Sequence, residues 1–288
     1  MPQQHSNSNS PLIYNVLKVL PRNLISYGVG WCVRVRLPQL LSRPLIKGFV
    51  RTFGIDLSEA EHKIEAYHTI EDMFTRRLGV GRRPLSGEVV SPADGMLTCS
   101  GPATDGTALQ VKGLRYSLAE LVHGLPQAPA SFSPAWAMTI YLAPHNYHRV
   151  HIPVAGTLKY IRYIPGDLWP VNDTFVRLIP GLFVKNERLV FHIELKGGGA
   201  VDAVMVGAFN VGRMTTPYLP GFASNQGRLR ALQEYPIERP VAPGDEMGTF
   251  LLGSTVVLVF DAVARSKFRF VQTDEKRPIM MGHSIIEP

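Results

Sequence analysis

A chain of 288 residues that is 45% hydrophobic and only 18% charged can bury one substantial core, which excludes an intrinsically disordered protein. Its formal net charge of +7 is local: residues 1 to 55 hold Lys18, Arg22, Arg34, Arg36, Arg43, Lys47 and Arg51 and no acidic residue, leaving 23 basic residues to balance 23 acidic ones. Two cysteines, Cys32 and Cys99, exclude a disulfide framework and a cysteine-based metal site, and point to a reducing compartment.

Met1 to Ser10 reads as a polar, mobile tail. From Pro11 to about Phe53 the pattern predicts short amphipathic helices broken at Pro21, Pro38 and Pro44. Basic and apolar residues mixed in this way suit an anionic membrane surface better than nucleic acid, which would call for a recognition motif. The longest uncharged stretch there, Asn23 to Val33, is far shorter than the roughly 20 apolar residues that cross a bilayer, and no cleavable signal pattern precedes it. Peripheral binding is the expectation for residues 1–55, with a basic helical face covering the domain as the plainer alternative.

Ser58-Glu59-Ala60-Glu61 has the form of a capping box and Thr69-Ile70-Glu71-Asp72 that of a weaker one, predicting helices over about 59–67 and 70–78. After Pro84 the chain turns β-rich, with segments at 89–99, 137–142, 156–164, 189–195, 200–214, 247–260 and 267–272. The predicted class is α+β: amphipathic N-terminal helices, then a β-rich core in the manner of a sandwich or barrel. No glycine-rich phosphate loop or dinucleotide fingerprint occurs.

The most informative stretch is Gly244-Asp245-Glu246-Met247-Gly248, followed by Leu252-Gly253-Ser254-Thr255 and then Val256-Val257-Leu258-Val259-Phe260. A small polar step inside an apolar, β-branched run costs packing, and taken alone it reads as a bulge or bend. Pro92-Ala93-Asp94-Gly95 is by itself a good turn, and a lone histidine such as His148 or His151 is more often structural than catalytic. Taken together, these blocks resemble the phosphatidylserine decarboxylases. So do Tyr147-His148-Arg149-Val150-His151-Ile152-Pro153, Ile164-Pro165-Gly166-Asp167-Leu168, Leu182 to Arg188 and Val206-Gly207-Ala208, in the same order. The resemblance covers about residues 70 to 265.

That family's members are proenzymes. The resemblance implies cleavage between Gly253 and Ser254, conversion of Ser254 into a pyruvoyl group, and decarboxylation of phosphatidylserine to phosphatidylethanolamine and CO2 through a Schiff base, with no metal. It assigns Asp94, His151 and Ser254 to self-cleavage and, less directly, His148 to decarboxylation. Asn146 stands where many relatives carry Asp, and Met73 where a second aromatic is usual. Cleavage between Gly253 and Ser254 would divide a core over 56–253 from a small chain over 254–288, with residues 1–55, read above from their composition, as the membrane-docking segment. The two chains form a heterodimer, open to higher assembly, on the cytoplasmic face of the cell membrane. Thr255 either orients the attack or continues the strand, and Asn172 with the 165–168 turn is a candidate lining of the substrate site. A pyruvoyl decarboxylase of a soluble amino acid, a serine hydrolase and a non-enzymatic membrane-binding β module are the competing readings. The hydrolase lacks a Gly-x-Ser-x-Gly elbow around Ser254.

Overall fold

The computed structural model describes residues 10–111, 114–124, 132–209, 213–226, 231–251 and 254–287. The chain begins with three helices, α1 (Ser10–Val19), α2 (Arg22–Cys32) and α3 (Gln39–Phe53). Pro21 and Pro38 bound helices as expected, but Pro44 lies inside α3. Its ring removes only the bond to the Leu40 carbonyl, and the helix is held beyond it by Ile46, buried with Ile55, Tyr67 and Met73. Gly54, at φ 63°, ends α3 in the left-handed conformation.

The helix expected over 59–67 is absent apart from one 3-10 turn at Ile64–Ala66. Tertiary partners take the capping groups: Ser58 bonds back to Asp56, Ala60 bridges Leu78, and the Glu59 carboxylate goes to Arg83. Thr69 does cap the next helix, accepting from the Asp72 N–H at 3.0 Å, but α4 is only Ile70–Phe74.

The strands are β1 (Gly95–Ala103), β2 (Thr107–Val111), β3 (Leu114–Ser117), β4 (Ala135–Leu142), β5 (Arg149–His151), β6 (Gly156–Ile164) and β7 (Arg188–Glu194). They continue with β8 (Ala200–Val206), β9 (Met214–Thr215), β10 (Gln233–Val241), β11 (Glu246–Phe250), β12 (Ser254–Phe260) and β13 (Arg277–Ile279). Between them lie α5 (Leu118–His123), α6 (Asp173–Leu178), α7 (Leu182–Lys185) and α8 (Ala262–Lys267). Eight strands form one antiparallel sheet in the order β10-β6-β7-β8-β12-β4-β1-β13. It does not close into a barrel, since β10 and β13 are free edges; the core is α+β with a large open sheet.

Every residue of β12 is buried, as its central place requires. On one face, Val256, Leu258, Met205 and Phe191 pack with Val150, Met214, Met247 and Phe250 from a three-stranded sheet, β5-β11-β9. On the other, Val257, Val259, Val204 and Val190 pack under Leu118, Leu121, Phe175 and Leu182 of α5, α6 and α7. Two expectations fail nearby. The strand expected over 267–272 does not form: α8, capped by Asp261, ends at Lys267, and the chain after it is irregular apart from Phe270, which bridges to Ile286. The segment expected over 200–214 is interrupted after Val206.

Candidate active site

The chain passes from one sheet to the other at the Gly-Ser-Thr step. β11 pairs with β5 in the small sheet, Thr249 opposite Arg149; Leu251 then donates its N–H to the Arg213 carbonyl at 3.1 Å. Ser254 opens β12 in the large sheet, opposite Leu142. The single strand expected over 247–260 is therefore two, and the polar step marks a crossing between layers. Leu252 and the candidate cleavage residue Gly253 lie outside the described residues.

Ser254 is fully buried and its Oγ has no hydrogen-bond partner among the described residues. It lines a cavity of about 330 Å³ whose other walls are almost wholly apolar: Val29 of α2 and Val33 just after it, Phe49 and Phe53 of α3, Phe74 of α4, and Leu142. Ala208 and Asn172 also reach this cavity. Thr255, one residue on, points to the opposite face and lines a separate cavity with Cys99 and Thr139, so it does not share the space of Ser254.

His148 is completely buried, its ring centroid 4.0 Å from that of Phe74. Its Nδ1 lies 2.8 Å from the Asn146 carbonyl, which can only accept, so Nδ1 carries the proton. Nε2 is left with a bare lone pair and no partner. Burial, aided by the nearby Arg76 guanidinium, pushes the His148 pKa down to about 3. Arg76 is itself buried and donates through Nη2 to the carbonyls of His145 and Asn146, at 3.2 and 3.4 Å.

His151 serves a different cavity. Its Nδ1 donates to the Gly244 carbonyl at 2.7 Å, and Nε2 accepts from the Tyr147 hydroxyl at 3.1 Å. Burial lowers its pKa too. The adjoining space, about 350 Å³, is lined by Arg77, Arg82, Arg83, Arg149 and Glu246.

Asp94 is committed to Arg83, whose Nε lies 2.9 Å from Oδ1 and whose Nη2 lies 2.6 Å from Oδ2. The Met281 N–H adds a third bond at 2.8 Å, and Arg83 also holds Glu59. The turn carrying Asp94 abuts β5, since the His151 N–H donates to the Pro92 carbonyl. No hydrogen bond joins the Asp94 carboxylate to the His151 ring. Four residues singled out from the sequence thus fall into two neighbourhoods: Asp94 with His151, and Ser254 with His148 through Phe74. Arg83, Tyr147 and Arg76 escaped sequence reading, because a partner that makes an arginine or tyrosine matter is remote in the chain.

The remaining blocks knit together behind the cavity. A Cβ on Gly166 would lie 2.5 Å from backbone atoms of residues 186 and 187, so only glycine allows this approach. The Asn186 side chain then bonds to Trp169 and Gly207, joining the three segments. Residues 70–287 match the phosphatidylserine decarboxylase family. The chain belongs to that family. It is 37% identical over 256 residues to the phosphatidylserine decarboxylase proenzyme of Myxococcus xanthus (strain DK1622), covering 88% of this chain and 90% of that one. The corresponding proenzyme of Anaeromyxobacter sp. (strain K) is 40% identical over 258 residues, with 88% and 90% covered. That of Shewanella amazonensis (strain ATCC BAA-1098 / SB2B) is 39% identical over 250 residues, with 84% and 86% covered. The family match takes in all four candidate residues of this phosphatidylserine decarboxylase family member and begins after α3.

Proposed function

We propose that the chain is a proenzyme that cuts itself between Gly253 and Ser254, turns Ser254 into a pyruvoyl group, and decarboxylates phosphatidylserine to phosphatidylethanolamine and CO2 at a membrane surface. The observation that carries this reading is the Ser254 hydroxyl, buried without a partner at the crossing between two sheets and facing an apolar cavity. An orphaned buried hydroxyl ordinarily costs about 1–3 kcal/mol, so a structure that keeps one keeps it for a use.

In self-cleavage, a base takes the Ser254 proton and Oγ attacks the Gly253 carbonyl, exchanging the peptide bond for an ester. Loss of the Gly253 carboxylate by β-elimination leaves dehydroalanine, which takes up water and releases ammonia to give the pyruvoyl group. The residues around Ser254 suit that group, because replacing the hydroxyl breaks no hydrogen bond and the walls are apolar. Once formed, the pyruvoyl supplies an electron sink for the bond to the departing carboxylate.

We assign Asp94 and His151 to self-cleavage and His148 to proton handling during decarboxylation. Both histidines hold their proton on Nδ1, so Nε2 is the accepting nitrogen a general base needs; in His148 it has no partner among the described residues, and in His151 it already accepts from the Tyr147 hydroxyl, which must turn away first. A second reading makes His148 the base for Ser254 itself, favoured by its contact with Phe74, which lines the same cavity. Cleavage would give a large chain ending at Gly253 and a small one of 35 residues. β12, the first strand of the small chain, is hydrogen-bonded between β8 and β4, so the two chains stay together.

The first three helices have the character of a surface made for lipid. α2 buries Ser26 and exposes Leu24, Tyr27 and Trp31; α3 buries Ser42 and exposes Leu40, Leu41 and Leu45. Arg22 and Arg34 are drawn to core carboxylates, whereas Lys18, Arg36, Arg43, Lys47 and Arg51 have none within ion-pair distance among the described residues. Each free cation near an anionic leaflet is worth about 1 kcal/mol. No helix among the described residues is long and apolar enough to cross a membrane. We therefore propose peripheral attachment at the cytoplasmic face, with residues 1–55 as the docking segment; a decarboxylase of a soluble amino acid has no use for it.

Intact mass tests the reading. Two chains are expected, the smaller one about 17 Da lighter than hydrolysis before Ser254 would leave it, because a ketone replaces the amino terminus. Ser254→Ala should remain a single inactive chain. An active protein with only the uncut mass would overturn the mechanism.

A further inference from the structure

Beside the Ser254 cavity, next to its lining residue Val33, three charged side chains share one partly buried place: Arg34, just past α2, Glu71 in α4, and Arg213, just before β9. Arg34 Nε lies 3.7 Å from Glu71 Oε2 and donates to the Gly30 carbonyl at 2.6 Å. Glu71 Oε2 and Arg213 Nε are both buried and lack hydrogen-bond partners among the described residues. Burial raises the Glu71 carboxyl against the pull of both arginines, and lowers the Arg213 guanidinium, which Arg34 lowers further. Two cations thus oppose one buried anion, and among the described residues no second carboxylate lies within ion-pair distance of either arginine.

The position is as telling as the charge. The Glu71 N–H donates to the carbonyl of Val33, a cavity-lining residue next to Arg34. The Arg213 carbonyl receives the N–H of Leu251, three residues before Ser254. On the outer side lies the exposed apolar face of α2, with Leu24, Tyr27 and Trp31. The cluster therefore stands between a lipid-facing surface and the reacting serine.

Resting on the function proposed above, we propose that Arg34 and Arg213 form the seat for the phosphodiester of the lipid substrate, with Glu71 holding the two guanidiniums apart. A phosphodiester carries one negative charge, which cancels the surplus, and its oxygens accept from the unpartnered Arg213 Nε–H. The glycerol and acyl chains then leave toward α2, while the serine headgroup extends toward Ser254. Free inorganic phosphate offers the same oxygens but no acyl chain.

The test uses full-length, self-processed protein and phosphatidylserine in neutral-detergent micelles, with KM expressed as surface mole fraction. Arg34→Met and Arg213→Met, which keep the apolar stem, should each raise KM about tenfold or more and leave kcat within about threefold. Arg213→Lys should restore part of the loss. Glu71→Gln should lower KM by a few-fold, since it removes the competing anion. Inorganic phosphate at concentrations matching the lipid should not inhibit the wild type; equal competition would assign the site to free phosphate and overturn the lipid seat. Normal self-cleavage with unchanged KM in Arg213→Met, or failed self-cleavage in both methionine variants with no fall in KM for Glu71→Gln, would overturn it too. A wild-type protein that neither cuts itself nor releases CO2 would instead sink the underlying function.

Discussion

His148 and His151 sit three residues apart on one extended segment and end in surroundings of opposite character. Each anchors Nδ1 on a backbone carbonyl, so in both Nε2 is the accepting nitrogen. Against His148 lies the ring of Phe74, which lines the apolar cavity, and Nε2 has no partner among the described residues; around His151 there are four arginines, Glu246 and the Tyr147 hydroxyl. The difference arises from strand geometry, which sends residues i and i+3 to opposite sides. It shows that the tautomer is not what distinguishes the two. What differs is the cost of using each: His148 gives up no hydrogen bond when it takes a proton, but acquires a charge in a dry place, whereas His151 must release Tyr147 and is charged among polar groups.

The sharpest test of that contrast is to remove each ring. His151→Ala should remain one uncut chain by intact mass. His148→Ala should cut at least partly but release CO2 some 10²–10⁴-fold more slowly, the usual worth of a general acid or base. If His148→Ala stays uncut while His151→Ala processes normally, the two roles exchange, and His148 becomes the base for Ser254.

A smaller effect is expected at the wall of the polar cavity. Arg83 and Asp94 are nearly buried, with side chains 7% and 10% exposed, and each is the other's main charge partner. Arg83→Met leaves a carboxylate buried with one backbone N–H, and should cost about 3 kcal/mol in denaturant unfolding. Asp94→Asn added to Arg83→Met should recover part of this; strictly additive losses would mean that the pair does not couple.

The same contrast explains what could be read from the sequence. The segments 156–164 and 189–195 were legible because buried antiparallel strands leave dense apolar, β-branched runs, and the strand observed at Gly156–Ile164 has the expected bounds. β10 was not: it is an edge strand, mostly exposed, with Pro236 and Pro240 placed where an edge tolerates a missing donor. The motif blocks pointed to Ser254 and the two histidines, since short motifs preserve local chemistry. The capture of Asp94 by Arg83, and the packing of His148 against Phe74 while His151 faces the arginine-lined cavity, depend on contacts made in three dimensions and leave no local signal.

Acid should reveal the dry side of the contrast. His148 falls from its ordinary 6.5 to about 3 in the folded chain, through burial and the Arg76 charge, with His145 adding to it. Between those values the unfolded chain binds a proton that the folded one does not, so stability is retained above about pH 6.5 and lost as pH falls. The slope is about 1.4 kcal/mol per pH unit, or about 2 kcal/mol by pH 5. His148→Phe, which keeps a ring against Phe74, should flatten that slope in denaturant unfolding. His192 shifts oppositely: burial lowers it, but Asp202 outweighs this and raises it, and it contributes equally to both proteins. Parallel slopes would mean that His148 is solvated in solution.

The smallest effect is expected at the outer wall of the apolar cavity. α2 carries Val29, and Val33 just after it, into the cavity and Trp31 away from it, the latter 61% exposed. Full burial of a large apolar side chain is worth about 1.5–3 kcal/mol, and a ring that enters only the interfacial layer gains part of this, about 1 kcal/mol. Trp31→Ser should therefore weaken partition onto vesicles containing phosphatidylserine about fivefold, while self-cleavage, read by intact mass, stays normal because Trp31 touches none of the cavity. Adding salt should weaken wild type and variant in the same proportion, since the five free cations are untouched. This substitution is more informative than removing residues 1–55, because α2 and α3 supply walls to the Ser254 cavity and their loss would disturb chemistry and docking together. Unchanged partition would move the docking face off α2, and leave Leu40, at 86% exposure on α3, as the next residue to substitute.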